Sequence, residues 1–169
     1  MGYLQDRDGR IAGFEEILEL CEQDSILTHA IWQTRAQTTC YHYEDGTLWK
    51  RKLWSRIKND RTGLPWIRRW RCQANEDNIF ITQERSLEAV RRMQIAYPQS
   101  RIAVLHFASG TNPGGGVIRG GGGQEESLCR CSTLYPCLQQ HKVRKMFYER
   151  HQRTGDPYYS DTCVYLPGI

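Results

Sequence analysis

The residues with the clearest chemical potential lie between Phe107 and Cys129: Phe107-Ala-Ser-Gly-Thr-Asn-Pro-Gly-Gly-Gly-Val-Ile-Arg-Gly-Gly-Gly-Gly-Gln-Glu-Glu-Ser-Leu-Cys129, a stretch holding eight of the chain's 15 glycines (110, 114–116 and 120–123). Glycine here has two physical uses: it allows positive φ, and it lets backbone amides approach an anion with no Cβ between them. The loop ends on two adjacent acids, Glu125 and Glu126. They open a helix in which Leu128, Cys131 and Tyr135 make an apolar face before Pro136 stops it. Acids in a first helical turn also answer the macrodipole, so the pair does not decide a function alone. Neighbouring helical residues diverge by about 100°, so the two carboxylates suit different parts of one ligand. They do not stand on opposite sides of a bond, as the acid and nucleophile of a standard glycosidase do.

Spacing excludes two familiar nucleotide loops. No Lys follows any of these glycines as a Walker A loop requires, and in a G-x-G-x-x-G register from Gly114 the third glycine falls on Arg119. A flexible linker is the simplest alternative. Against it, the loop contains Val117 and Ile118 and is bounded by an apolar run and a patterned helix.

The elements that must position this loop follow from periodicity. Phe14, Ile17, Leu18 and Cys21 predict an amphipathic helix over 13–23. Residues 38–43 and 47–53 flank Asp45-Gly46 as a hairpin would, although Lys50, Arg51 and Lys52 also fit a helix. Ile79, Phe80 and Ile81 predict a short strand, and Leu87, Val90 and Met93 a helix ending near Tyr97-Pro98. Residues 102–108, Ile-Ala-Val-Leu-His-Phe-Ala, form an unbroken apolar run that reads as a central strand covered on both faces. The rhythm is that of an α/β domain with a largely parallel sheet, its ligand expected at the carboxyl end of that strand.

The chain has 169 residues, a formal net charge of +4, and 25% charged and 39% hydrophobic residues. That composition excludes a disordered tail, and no apolar run approaches the roughly 20 residues of a membrane span. The polar start from Met1 to Arg10 has no signal-peptide pattern, so no export and no membrane partner are expected. Seven scattered cysteines favour reduced thiols in a cytoplasmic or nuclear setting. Cys129, Cys131, Cys137 and His141 have the composition of a zinc site, but C-x-C is not the usual ligand spacing and no metal is expected. From Lys50 to Arg71 nine Lys and Arg face one acid, Asp60, and alternate with Trp49, Trp54, Trp66 and Trp70. Such a stretch is either a solvated face over the core or a polyanion surface in which Arg68, Arg69 and Arg71 contact phosphates, nucleic acid included.

Asn112-Pro-Gly-Gly-Gly116, a seven-residue spacer, Gln124-Glu-Glu126 and the following Ser-Leu-Cys-Arg-Cys-Ser-Thr-Leu-Tyr-Pro-Cys137 resemble the microbial-type poly(ADP-ribose) glycohydrolases, which carry a GGG and a QEE triplet at such a distance. Ser86-Leu-Glu-Ala-Val-Arg-Arg, Val104 to Ala108, Asp156-Pro-Tyr-Tyr-Ser-Asp and Val164-Tyr-Leu-Pro-Gly168 extend the likeness. The resemblance implies a macrodomain-like mixed sheet flanked by helices, with residues 75–169 as the catalytic-loop half and 1–74 as an extension. It implies that later strands of the family fold lie outside this chain, so that a second chain is one way to complete it. By position, Glu126 would be the catalytic acid. Glu125 and Gln124 would hold ribose hydroxyls, Asn112 the distal ribose, Gly114, Gly115 and Gly116 the diphosphate, and Val117 would line the site. The implied reaction is hydrolysis of ribose–ribose bonds in poly(ADP-ribose), releasing ADP-ribose from chain ends with no cofactor, and the implied partner is poly(ADP-ribose) or ADP-ribosylated protein. The alternatives are an ADP-ribose or nucleic-acid binding module or an inactive truncated fragment, and a mono-ADP-ribosyl hydrolase.

Overall fold

The computed structural model describes residues 6–42, 80–155, 159–160 and 162–169. Helix α1 (Arg7–Gln23) starts where the Asp6 carboxylate accepts the Gly9 amide at 2.6 Å. It begins a turn and a half earlier than the apolar spacing predicts, because its first turns bind the glycine loop rather than the core. Asp24 then makes a corner: its amide closes α1 on the Leu20 carbonyl, and its carboxylate caps Ile26 and Leu27 at 2.7 and 3.0 Å. That cap starts α2 (Ser25–Gln37), a helix without a sequence-based expectation above, although Asp24 is a standard N-cap signal. α2 buries Ile31 and Thr34, and the Thr34 hydroxyl donates to the Pro167 carbonyl at 2.8 Å, tying down the last residues of the chain.

Strand β1 (Thr39–Tyr41) falls within the first arm of the expected hairpin, but its partner is β2 (Cys163–Tyr165), antiparallel, with Cys40 opposite Val164. The expected second arm lies outside the described residues, as do Ile79, the whole basic Trp-rich stretch and Arg68, Arg69 and Arg71. Helix α3 (Ser86–Ala96) matches its expectation, its first turn closed by Glu88 accepting the Arg85 amide at 3.0 Å. Phe80 and Ile81, expected in a strand, are in none among the described residues and are exposed.

The expected central strand is also corrected. Among the described residues, 102–108 belong to no ladder, and Leu105 and Phe107 are 71% and 74% exposed. An apolar run becomes a covered strand only when neighbouring backbones take its amides and carbonyls. Among the described residues only the Gln124 side chain does so, and the sheet there is a two-stranded antiparallel pair rather than a parallel one.

The acid-bearing helix α4 (Gln124–Cys129) is shorter than expected, and α5 (Leu134–Leu138) follows after a turn. Pro136 sits inside the first turn of α5, where its missing N–H has no intrahelical partner to lose, so it does not act as a stop. Of the expected apolar face, Leu128 is buried and Tyr135 packs on the core, but Cys131 is exposed and Cys129 is buried in its place. Helix α6 (141–154) carries a π-turn at Arg144–Tyr148 that brings Phe147 and Tyr148 inward. The core joins Phe14, Val117, Leu128, Cys129, Leu134, Leu138, Val143, Phe147 and Tyr148. Among the described residues no helix is long and apolar enough to cross a membrane. Nor does any group of three or more His, Cys, Asp or Glu among them have an arrangement that could hold a metal ion.

Candidate active site

The two acids meet very different surroundings. Glu125 is buried, 4% exposed, and its carboxylate bridges the ends of one turn: Oε2 accepts the Ser109 amide at 2.7 Å and Oε1 the Gly114 amide at 3.0 Å. Burial raises its pKa, the two amides pull it back down, and the charge of Glu126 adds to the rise. Below it lie groups that burial also shifts. His106 Nε2 stands 3.6 Å from Glu125 Oε1 with no hydrogen-bond partner among the described residues, and burial lowers its pKa. The buried Tyr148 hydroxyl is likewise unpartnered there, and burial, then Glu125, pushes its pKa up.

Glu126 is only half-buried and lies in a pocket walled by glycine. Its Oε1 accepts the Gly116 amide at 2.8 Å. A Cβ at Gly115 would come within 2.6 Å of that oxygen, and one at Gly123 within 2.6 Å of Oε2. Gly114 and Gly115 also take positive φ, 76° and 58°. The glycine triplet thus admits the carboxylates: Gly114 and Gly116 donate to Glu125 and Glu126, and Gly115 to the Asn112 carbonyl at 2.9 Å. All three amides turn inward.

Other expected site residues fall in distinct places. The Asn112 side chain is exposed at the lip of the loop, within 3.3 Å of Thr111 Oγ1. Gln124 faces 105–107: its Oε1 accepts the Phe107 amide at 2.9 Å, and its Nε2 donates to the Leu105 carbonyl and Ser86 Oγ, each at 3.1 Å. This side-chain amide does what a neighbouring strand's peptide would do. Val117 is fully buried: the 3₁₀ turn Val117–Arg119 rotates it into the core.

Sequence reading missed His106, Ser109 and Tyr135, which closes over Gly114 and meets Phe14 edge-on at 4.8 Å. Ser109 carried a usable signal, since its hydroxyl accepts the Asn112 amide at 3.1 Å in a local turn. His106 had none, because its partner lies on another element.

Fold and site together define a protein of helices with a small sheet that presents adjacent carboxylates from the start of a short helix against a glycine loop. Residues 19–169 match the microbial-type PARG catalytic domain, and the chain belongs to that family. Over 95% of its length it is similar to the poly(ADP-ribose) glycohydrolase of Thermomonospora curvata solved with the inhibitor ADP-HPD, at 29% identity and a TM-score of 0.68, covering 54% of that chain. A glutamate-to-alanine mutant from the same organism matches with the same values, and a third structure at 27% identity, a TM-score of 0.65 and 55% of its chain. The chain spans about half the length of these solved relatives. No curated protein matches it.

Proposed function

We propose that this chain carries the acid-bearing part of a poly(ADP-ribose) glycohydrolase, with Glu126 as the acid and base of the reaction. The observation that supports this most is the glycine-walled setting of Glu126: one oxygen is oriented by Gly116, and the side chain remains half-buried rather than sealed in the core. Protonated Glu126 gives its proton to the leaving ribose oxygen as the ribose–ribose C–O bond breaks. Its carboxylate then takes a proton from the water that attacks the anomeric carbon, releasing ADP-ribose and regenerating the acid. Glu125 serves this step by fixing the 109–114 turn through the Ser109 and Gly114 amides. Asn112 contacts the distal ribose from the loop's lip. The inward amides of 114–116 leave the glycines to admit the diphosphate through their lack of Cβ rather than through hydrogen bonds. Arg68, Arg69 and Arg71 add charge for the polymer's phosphates.

The test is incubation of the purified chain with poly(ADP-ribose) and detection of free ADP-ribose. Release that Glu126→Gln abolishes supports the reading, and binding of the polymer without any release returns the chain to the class of ADP-ribose binding modules.

A further inference from the structure

Three arginines hold three consecutive carbonyls of the glycine loop. Arg7 Nε donates to the Arg119 carbonyl at 3.2 Å, Arg10 Nε to that of Gly120 at 2.6 Å, and Arg130 Nη1 to that of Gly121 at 2.7 Å. The approach of α1 is close. Gly120 takes φ of 71°, and a Cβ there would lie 2.7 Å from the Arg7 carbonyl oxygen. Guanidinium–carbonyl bonds are charge-assisted and stronger than the amide–carbonyl bonds of the loop itself.

What these bonds fix is transmitted to Glu126. A planar trans peptide holds its C=O and N–H in opposed directions, so a held Gly120 carbonyl also directs the Gly121 amide. That amide donates to the Gly116 carbonyl at 3.0 Å, and the Gly116 amide in turn donates to Glu126 Oε1 at 2.8 Å. Gly121 also lies against the acid, since a Cβ on it would be 3.0 Å from both Cγ and Oε1 of Glu126. A path of three hydrogen bonds therefore runs from Arg10 to the carboxylate, and Arg130 secures the next peptide along.

We propose that Arg10 and Arg130, with Arg7 at the solvent edge, form a carbonyl clamp that sets the position of Glu126, and so are positioning residues for the reaction. The inference rests on the functional reading above. Arg7 and Arg10 precede residue 19, where the family match begins, so the device joins α1 to the site from outside the matched span.

The experiment compares Arg10→Ala, Arg130→Ala and Arg10→Lys in the full chain, reading amide hydrogen exchange at Gly116 and Gly121 beside kcat and KM on poly(ADP-ribose). Both alanine variants are expected to exchange faster at these two amides. Their kcat should fall by about 10- to 100-fold, because small displacements of a reacting group are costly. KM should move by less than about threefold, as for an interaction that matters in the transition state. Lysine at position 10 still donates to the carbonyl and should recover most of the loss. Unchanged exchange in both alanine variants overturns the clamp, as does an equal loss in Arg10→Lys, or exchange that rises throughout α1 and α2 as a general defect of folding would cause. A wild-type chain that releases no ADP-ribose overturns the functional reading instead, and the exchange measurement still decides the clamp.

Discussion

His106 Nε2 and Glu125 Oε1 stand 3.6 Å apart beneath the glycine loop, and burial disfavours the charged form of each. The two groups therefore act on stability with opposite signs. His106, with its pKa lowered, binds fewer protons folded than unfolded. Its contribution is present above the ordinary imidazole value of 6.5 and is lost as pH falls through the lowered value. Glu125, with its pKa raised, contributes below the ordinary carboxyl value of 4.5, and that contribution is lost as pH rises through the raised one. Urea unfolding midpoints should fall between about pH 7 and about pH 5 more steeply in the wild type than in His106→Asn. Equal slopes would show that the imidazole does not titrate in this environment.

Glu126→Gln keeps an oxygen for the Gly116 amide, so the loop should retain its shape while the proton is lost. Turnover of poly(ADP-ribose) should drop by at least about 10²-fold, with ADP-ribose binding still measurable by calorimetry. Undiminished release of ADP-ribose would remove Glu126 from the reaction.

Gly115 and Gly122 make a matched pair of tests. Gly115→Ala meets a left-handed backbone and the Glu126 oxygen at 2.6 Å, and should cost at least about 1–2 kcal/mol from the backbone alone. A Cβ on Gly122 meets nothing within 4 Å, so Gly122→Ala should stay within about 0.5 kcal/mol. Thermal denaturation of the two variants separates a steric role for the glycines from a generic need for a flexible loop.

Gln124→Leu removes all three hydrogen bonds that hold 105–107 and Ser86 to α4. Since two of the bonds are exposed and water replaces them, the loss should be about 1 kcal/mol. Activity should fall further than stability, because residues 105–107 lead directly into Ser109, which Glu125 grips. Parallel urea titrations and initial rates measure the two effects.

Legibility followed the range of the interactions. Helices α1 and α3 were visible because their apolar spacing is a local property, and the GGG and QEE triplets because the loop needs glycines wherever a carboxylate presses on the backbone. The burial of Val117 was not legible, because the 3₁₀ turn that rotates it into the core is not encoded in its residue type. The composition of 102–108 suggests a covered strand, yet coverage is a property of neighbours that composition does not contain.

By itself, the sequence determined which residues could do the chemistry: two acids opening a helix, a glycine loop before them, and an Asn at its lip. Tertiary structure decided how those acids differ. Glu125 is sealed against Ser109, Gly114 and His106, whereas Glu126 stays half-buried in a glycine pocket. It also decided that Arg10, 110 residues away in the chain, holds the carbonyl next to that pocket. The physical reason is the same in each case: burial and the direction of a backbone hydrogen bond depend on which distant segments share the space, and no local pattern of residue types encodes that.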